Sequence, residues 1–160
     1  MINIIAACDR NRLIGKKGTL PWNIQKDWDY FLQTTKNGVL IMGRKSYEDF
    51  QDHVSSYEII VISKRDQSGC KKAKLAGSFE EAIKLGLKAK KTIWICGGRK
   101  VYEEAMPVAD HLFLTQIDQE YEGDVYFPPW ERIFNRPLSS TTDREKGVGL
   151  EFLVLGKNNL

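Results

Sequence analysis

Cysteine and histidine are scarce in this sequence. Its 160 residues include three cysteines, Cys8, Cys70 and Cys96, and two histidines. Three is an odd number, and no cysteine lies close to another, so the pattern argues against a disulfide framework and against a zinc site. We therefore expect no metal site, and unpaired cysteines suit the reducing cytoplasm.

Long apolar runs and a strong net charge are also absent. No run approaches the roughly 18 apolar residues that a membrane-spanning helix needs, and residues 1–5 lack the basic region and cleavage site of a signal peptide. The net charge of +3 is too small to indicate nucleic acid, and the lysines between positions 71 and 91 predict a solvated surface. We expect a cytoplasmic monomer that binds a small molecule, not nucleic acid or a membrane.

Strand-like and helix-like stretches alternate along most of the chain. Four short stretches are rich in β-branched residues and almost continuously apolar, as in a sheet covered on both faces: Ile2–Cys8, Val39–Met42, Glu58–Ser63 and Thr92–Cys96. Helices are predicted from Gln25 to about Lys36, from Ser46, from Ser78 to about Leu87, and near Arg99. The pairs Ser46…Asp49 and Ser78…Glu81 have the spacing of a capping box.

The last part of the chain has a different pattern. Strands are predicted near His111–Ile117, Leu138–Thr142 and Leu150–Leu155, and the glycines of 146–149 predict a hairpin between the last two. A βαβ order first and an antiparallel pair last predict an α/β fold. We expect a single domain over residues 1–160, with a mixed, mostly parallel central sheet, an antiparallel C-terminal hairpin and helices on both faces.

One carboxylate lies at the edge of an apolar helix face. Ile24, Trp28, Phe31 and Thr35 recur at three- and four-residue steps, and Asp27 falls about 40° from Phe31 around the same helix. A carboxylate that faces a core costs several kcal/mol unless it is paired or protonated. A first-turn Asp can also simply favour the helix dipole while it reaches back to water. Helix geometry alone leaves both interpretations open.

Glycines and cations cluster where strands end, the edge at which open α/β sheets bind ligands. Gly97-Gly98 joins a strand to a helix, an arrangement that lets the backbone approach a ligand but is also common without one. It is not the G-x-G-x-x-G fingerprint, so a standard Rossmann domain is not expected. Cations and a nearby hydroxyl follow two other strands, at Gly43–Ser46 and at Ser63–Arg65. Such groups favour a ligand that carries phosphate.

The order and spacing of several short motifs resemble the dihydrofolate reductase family over essentially the whole chain. These motifs are Ile4-Ile5-Ala6-Ala7, Ile14-Gly15, Leu20-Pro21-Trp22-Asn23 with Asp27, Ile41-Met42-Gly43-Arg44, Gly97-Gly98 with Val101-Tyr102, and Glu122-Gly123-Asp124-Val125-Tyr126-Phe127-Pro128. The resemblance implies an NADPH-dependent oxidoreductase that reduces 7,8-dihydrofolate to 5,6,7,8-tetrahydrofolate.

The resemblance also implies roles for individual residues. Asp27, Trp22 and Tyr102 are expected to be catalytic: Asp27 holds the pterin's amidine edge and favours protonation of N5, Trp22 holds an ordered water, and Tyr102 packs near the nicotinamide. Phe31 is expected to stack on the pterin, Thr115 to bridge it to Asp27, and two backbone carbonyls to accept from its exocyclic amine. The implied substrate-binding residues are Ile5, Ala6, Asp27, Trp28, Phe31, Phe50, Val54, Tyr57, Cys96 and Thr115.

The implied cofactor is NADPH. Residues 13–20 correspond to the loop that closes over the nicotinamide, the Gly97-Gly98 bond is cis in the family, and the strand-end cations flank the expected 2′-phosphate site. The implied cofactor-binding residues are Ala7, Ile14, Gly15, Thr19, Leu20, Gly43, Arg44, Lys45, Ser46, Ser63, Lys64, Arg65, Gly97, Gly98, Arg99, Lys100, Val101 and Tyr102.

One position departs from the family. The arginine that clamps the α-carboxylate of the folate glutamate is replaced by Tyr57, and Lys36 is the nearest cation on the preceding helix. A neutral hydroxyl donates one hydrogen bond at most. We therefore expect dihydrofolate reduction with weakened glutamate recognition. The alternatives are reduction of a tail-less pterin or related pyrimidine on the same fold, and a non-catalytic protein that binds nucleotide or folate.

Overall fold

The computed structural model describes residues 1–17, 19–50, 57–64 and 73–158. Two predicted site residues, Val54 and Arg65, lie outside this range. Within it the chain forms ten strands and four helices. The strands are β1 Ile2–Cys8, β2 Leu13–Gly15, β3 Val39–Gly43, β4 Glu58–Ile62, β5 Lys74–Ala76, β6 Ile93–Ile95, β7 His111–Ile117, β8 Val125–Tyr126, β9 Phe134–Glu145 and β10 Val148–Lys157; the helices are α1 Gln25–Thr35, α2 Arg44–Phe50, α3 Phe79–Lys88 and α4 Arg99–Ala105.

A mixed sheet forms the centre of the molecule, in the strand order β5-β4-β3-β6-β1-β7-β10-β9. The pairs from β5 to β7 are parallel, and β10 runs antiparallel to both β7 and β9. β2 and β8 form a separate small antiparallel sheet. This arrangement confirms the predicted α/β fold with a mostly parallel sheet and a C-terminal antiparallel hairpin.

Side chains alternate between the two faces of the sheet, and each face has its own helices. Ile4 and Ile41 face a cluster completed by α3 and α4, whereas Ile5 and Met42 face a cluster completed by α1 and α2. Because the central strands are covered on both sides, they are almost continuously apolar. The predicted helices on both faces are confirmed. No helix in the described ranges is long and apolar enough to span a membrane.

Local signals fixed some element ends correctly. The Ser78 side chain accepts from the Glu81 amide and caps α3, as the capping-box spacing predicted. The hairpin turn between β9 and β10 is Lys146-Gly147, whose φ values of 50° and 82° are the two positive angles that a two-residue turn of this kind requires.

Other predicted bounds were wrong. α2 begins at Arg44, so Ser46 lies inside the helix and cannot cap it; the strand β3 runs into this helix without a loop. β9 begins at Phe134, four residues before the predicted start, because an edge strand tolerates Pro137 beside a bulge. The three-residue strand β6 is shorter than predicted. The short strands β2, β5 and β8 were not predicted.

Candidate active site

A cavity of about 280 Å³ opens at the carboxyl ends of the central parallel strands. α1 and α2 form one wall, and the glycine turn before α4 and the loop after β1 form the other. The predicted site residues that line it are Ile5, Ala6, Ala7, Ile14, Gly15, Thr19, Leu20, Asp27, Trp28, Phe31, Lys45, Ser46, Phe50, Cys96, Gly97, Gly98, Arg99, Tyr102 and Thr115. The position matches the rule that ligands bind at strand ends in open α/β sheets.

Asp27 projects into this cavity from the first turn of α1. Its carboxylate is partly buried, and desolvation raises its pKa from 3.8 to about 6. A hydrogen bond from the Thr115 side chain on β7 opposes that rise, because it stabilises the charged form. Asp29, two residues later on the same helix, is exposed. The helix therefore presents one carboxylate to the cavity and one to water.

Trp22 lies beside this carboxylate-bearing helix but does not line the cavity. Its indole ring is buried against Ile24, Ile117 and Phe152, with the ring of Tyr121 at a centroid distance of 5.4 Å. Among the described residues its Nε1–H has no hydrogen-bond partner. A buried donor of this kind normally has one, either a protein group or ordered water.

Tyr102 connects α4 to the first strand. Its hydroxyl donates to the Ile5 carbonyl oxygen at 2.9 Å, and its ring meets Phe127 edge-on at a centroid distance of 5.0 Å. Burial raises the pKa of this phenol well above its usual value, with Cys96, Asp27 and Cys8 as smaller contributors. Burial likewise raises the pKa of the Cys8 thiol to about 12. These groups are uncharged at neutral pH.

The glycine turn after β6 forms a cradle without side chains. The Gly97–Gly98 peptide bond is cis, as the family resemblance implied. A Cβ built on Gly97 would lie 3.0 Å from Ser46 Oγ, and one on Gly43 would lie 3.8 Å from the Gly97 carbonyl oxygen. The Gly43 amide donates to that oxygen at 2.8 Å. Two strand ends therefore meet here through bare backbone, which leaves peptide groups accessible to a ligand.

Aromatic rings surround the outer part of the cavity. Phe50 lies 6.2 Å from the Trp28 ring centroid and 5.7 Å from that of Phe31. Tyr57 supports Phe50 from behind at 5.6 Å and does not line the cavity. Its hydroxyl donates to the Leu32 carbonyl oxygen at 2.9 Å. The hydrogen-bonding capacity of this side chain as a donor is thus already used within the protein.

Cations lie around the glycine cradle. Lys45 and Arg99 line the cavity, and Arg99 Nε also pairs with Glu103 at 2.6 Å. β3 and β4 end side by side, because Gly43 is in register with Ile62, so Arg44 and Lys64 both follow neighbouring strand ends. Arg44 Nε pairs with Glu48 at 3.2 Å. Gly43, Arg44, Ser63, Lys64, Lys100 and Val101 are predicted cofactor residues that do not line the cavity itself.

The loop after β1 is tied down over the cavity. β2 pairs with β8, the Asp124 amide donates to the Gly15 carbonyl oxygen at 3.1 Å, and the Lys17 amide donates to Asp124 Oδ1 at 3.1 Å. Asp9 is buried and accepts from the amides of Leu13 and Tyr121 at 2.9 Å each. These bonds hold the described part of the loop, up to Lys17, beside the cavity.

Four lining residues were missed in the sequence: Tyr30, Met42, Asp49 and Val125. A signal existed for three of them. Tyr30 is three residues after Asp27 and so shares its helix face. Val125 lies within the motif that runs from Glu122 to Pro128, and Met42 lies within Ile41-Met42-Gly43-Arg44. Asp49 had no comparable signal, because its place in the cavity depends on how α2 packs.

Known proteins resemble the chain along its whole length. A family profile described as "Dihydrofolate reductase" matches residues 1–156. Dihydrofolate reductase of Neisseria gonorrhoeae is 36% identical over 160 residues, covering 98% of both chains, and that of Bacillus subtilis (strain 168) is 32% identical over 162 residues, covering 99% and 96%. A solved structure described as dihydrofolate reductase from Enterococcus faecalis complexed with NADP(H) and RAB-propyl has a TM-score of 0.90, 24% identity, and coverage of 99% and 97%.

Proposed function

The chain belongs to the dihydrofolate reductase family, and we propose that its cavity reduces 7,8-dihydrofolate to 5,6,7,8-tetrahydrofolate with NADPH as the cofactor. Asp27 is the observation that carries the proposal. It is a partly buried carboxylate in an apolar cavity with a pKa of about 6. A group with such a pKa exchanges protons near neutral pH, as acid–base catalysis requires.

Asp27 holds the pterin and favours its protonation. Its carboxylate accepts hydrogen bonds from the amidine edge of the ring and raises the fraction of substrate protonated at N5. Thr115, which already hydrogen-bonds to Asp27, bridges it to the ring. The Trp22 Nε1–H, without a partner among the described residues, is suited to donate to an ordered water near Asp27.

The remaining pterin contacts come from both walls of the cavity. The Ile5 carbonyl oxygen accepts from Tyr102, and its second lone pair is available to the exocyclic amine of the pterin, as is the Cys96 carbonyl. Ala6 lines the floor, Phe31 stacks on the ring and its benzoyl extension, and Trp28 with Phe50 adds apolar contact at the outer end.

The residues present fit NADPH. A Cβ on Gly97 would lie 3.0 Å from Ser46 Oγ and would occupy the cradle, and Arg44, Ser63 and Lys64 follow the neighbouring ends of β3 and β4. NADPH, when bound, supplies a hydride that adds to C6 of the substrate. Tyr102 packs beside the nicotinamide site, with Ala7, Lys45, Ser46, Gly98, Arg99, Lys100 and Val101 around the cradle. Arg44, Ser63, Lys64 and Arg65 would hold the 2′-phosphate. The charges of Arg44, Lys64 and Arg65 would favour NADPH over the cofactor without that phosphate.

The loop over the cavity excludes water from the reacting atoms. Ile14, Gly15, Thr19 and Leu20 line the cavity from above. The pairing of β2 with β8 holds Ile14 and Gly15 there, and Thr19 exchanges backbone hydrogen bonds with Lys16. Exclusion of water strengthens the electrostatic contacts inside and protects the transfer from side reactions. Opening of the loop would then be needed for substrate to enter and product to leave.

Recognition of the folate glutamate is weakened in this chain. Tyr57 occupies the place of the family's arginine and donates its hydroxyl to Leu32. The sequence from Ser46 to Ser63 contains no lysine or arginine, and it contains four acidic residues. The cationic residues among the described lining set, Lys45 and Arg99, belong to the side of the glycine cradle. The two carboxylates on the glutamate tail of folate therefore gain little binding energy at the end of the cavity near Tyr57.

A tail-less dihydropterin is the second candidate substrate, and the aromatic outer wall favours it. Trp28, Phe31 and Phe50 provide stacking surface that does not depend on the charge of the tail. A pyrimidine substrate is less well matched, because Asp27 with Trp22 suits the amidine edge of a pterin. A non-catalytic binding protein would have little use for a carboxylate whose pKa lies near neutrality.

We also propose that the chain acts as a monomer of one domain, residues 1–160, in the cytoplasm. Cys8 and Cys96 are free thiols, as in a reducing compartment. Sedimentation equilibrium of the purified protein tests the oligomeric state, and a dimer mass would contradict this part of the proposal.

The activity is tested by incubating purified protein with NADPH and 7,8-dihydrofolate. We expect NADPH oxidation that requires both the protein and the substrate, and a product heavier than the substrate by two hydrogens in mass spectrometry. Deuterium at C4 of the cofactor should appear in that product. NADPH oxidation with a tail-less dihydropterin but not with dihydrofolate would favour the second candidate, and binding of both ligands without oxidation would contradict catalysis.

A further inference from the structure

The helix that carries Asp27 has no cap of its own. α1 begins after Ile24, whose aliphatic side chain makes no capping hydrogen bond. Its first two amides donate instead to the two carboxylate oxygens of Glu145: Gln25 N to Oε2 and Lys26 N to Oε1, at 2.9 Å each. Two of the N–H groups that every helix leaves unpaired at its start are thus satisfied by a residue 120 positions later.

The hairpin formed by β9 and β10 contacts α1 at two further points. Lys26 Nζ donates to Asp143 Oδ1 at 2.7 Å. One turn further along the helix, the rings of Tyr30 and Phe152 lie 4.3 Å apart between centroids. The first two turns of α1 are therefore held by backbone, side-chain and ring contacts from one hairpin.

This hairpin also pairs with β7, the strand that contacts Asp27 from the other side. Its turn is two residues long, Val148 is in register with Glu145, and β10 pairs along its length with β7. Phe152 on β10 is in register with Thr115 on β7, and Thr115 hydrogen-bonds to Asp27. The start of α1 is therefore held by the hairpin, and the Asp27 carboxylate is held by β7, the strand that pairs with this hairpin.

We propose that Glu145 is a positioning residue for the reaction: by clamping the amides of Gln25 and Lys26, it sets where Asp27 stands in the cavity. The proposal rests on the proposed function, because it concerns the contact of Asp27 with the pterin. Asp27 follows the second clamped amide directly, so any fraying or shift of the first turn moves its carboxylate. The residues around the glycine cradle lie on other elements and would stay in place.

Loss of the Glu145 clamp should therefore affect the reaction of dihydrofolate and leave the binding of NADPH unchanged. A small displacement of a reacting group can cost up to about a hundredfold in rate, whereas the cofactor contacts do not involve α1. We expect Glu145→Ala to lower kcat/KM for dihydrofolate about tenfold, chiefly through kcat, with the dissociation constant of NADPH unchanged. Glu145→Gln keeps the length of the side chain and one acceptor oxygen, so its loss should be intermediate.

Glu151→Ala is the matched control. Glu151 is a partly buried glutamate of the same hairpin, and it accepts from Ser140 Oγ at 2.7 Å without contacting α1. Its removal changes the charge and the stability of the hairpin but leaves the clamp intact, so kcat should stay at the wild-type value. Amide hydrogen exchange adds a readout that does not need activity: exchange at Gln25 and Lys26 should accelerate in Glu145→Ala and not in Glu151→Ala.

Several results would overturn the proposal. These are a wild-type kcat in folded Glu145→Ala, a parallel loss of NADPH affinity, or an equal loss of kcat in Glu151→Ala. Should Glu145→Ala fail to fold, a wild-type kcat in Glu145→Gln would contradict it equally. A wild-type protein that reduces no dihydropterin would refute the proposed function instead, and the exchange experiment would still decide whether Glu145 clamps the helix.

Discussion

Thr115 on β7 donates a hydrogen bond to the Asp27 carboxylate on α1, yet the pKa of Asp27 is raised to about 6. The two influences have opposite signs. Burial disfavours the charged carboxylate and is the larger, whereas the hydrogen bond favours it. The balance leaves a group that is protonated in an appreciable fraction of molecules at neutral pH, and the predictions below start from that balance.

Replacing Asp27 by asparagine should stabilise the protein at alkaline pH. Because the pKa is higher in the folded protein than the ordinary value of 3.8, the folded state binds the proton more tightly, and the free energy of unfolding falls as the pH rises from about 4 to above 6. The rise of the pKa from 3.8 to about 6 corresponds to about 3 kcal/mol of destabilisation of the folded state when the Asp27 carboxylate is charged. Urea unfolding should show a gain of up to about 3 kcal/mol for Asp27→Asn near pH 8 and almost none near pH 4.

Asp29→Asn is the control for that measurement. Asp29 is exposed on the same helix and accepts from Gln25 Nε2 at 2.8 Å. Its replacement should change the free energy of unfolding by less than about 0.5 kcal/mol at either pH. A gain for Asp27→Asn that does not depend on pH would show that the carboxylate of Asp27 is not destabilised by burial.

Tyr57→Arg should lower KM for dihydrofolate. An arginine here can form charge-assisted hydrogen bonds with the α-carboxylate, worth about 1.5–3 kcal/mol, or about ten- to a hundredfold in affinity. KM for a tail-less dihydropterin should not fall. Tyr57→Phe removes only the bond to Leu32 and serves as the control; steady-state kinetics with both substrates decide the matter. An unchanged KM for dihydrofolate in Tyr57→Arg would contradict this explanation of the tail end.

Removal of the strand-end cations should affect NADPH more than NADH. Arg44→Ala or Lys64→Ala should each raise KM for NADPH about tenfold, because a charge-assisted bond to the 2′-phosphate is lost. KM for NADH, which lacks that phosphate, should stay the same. Lys91→Ala is the control, since Lys91 pairs with Glu58 at the opposite end of β4, at 2.8 Å. Equal increases for both cofactors would rule out a phosphate contact.

Gly97→Ala should destabilise the protein more than Gly147→Ala. Both glycines have positive φ values, 118° and 82°, so alanine is strained at either position. At Gly147 the added Cβ meets no atom within 4 Å, whereas at Gly97 it lies 3.0 Å from Ser46 Oγ. Thermal unfolding should show a loss of about 1 kcal/mol for Gly147→Ala and a larger one for Gly97→Ala. Equal losses would mean that Ser46 moves aside freely.

The sequence predicted the framework of the sheet well because its signals are local. β1 was predicted to the residue, since a strand buried on both faces is an almost continuous apolar run, and β7 was predicted near its observed bounds. Ser78 identified the start of α3 through a cap that acts over three residues. β2 and β8 could not be predicted, because each is only a few residues long and exists through pairing with the other across the chain.

The residues of the candidate site were predicted mainly from the family resemblance. The pKa of Asp27 and the contacts that hold it could be obtained only from the structure. Helix spacing placed Asp27 at the edge of an apolar face, but the pKa of its carboxylate depends on Thr115 and on burial by distant segments. Glu145 had no signal at all, because a helix cap supplied from another part of the chain leaves no local pattern. The hydrogen bond from Tyr57 to Leu32 likewise depends on the packing of α1.

The dependence of dihydrofolate reduction on pH, compared between wild type and Asp27→Asn with NADPH saturating, tests the role of Asp27 most directly. For the wild type we predict a kcat/KM that is level below about pH 6 and falls about tenfold per pH unit above it, following the pKa of Asp27. At neutral pH the asparagine variant should retain no more than about a hundredth of that rate. A variant as active as the wild type at neutral pH would contradict the assignment of Asp27 as the group that favours protonation of the pterin.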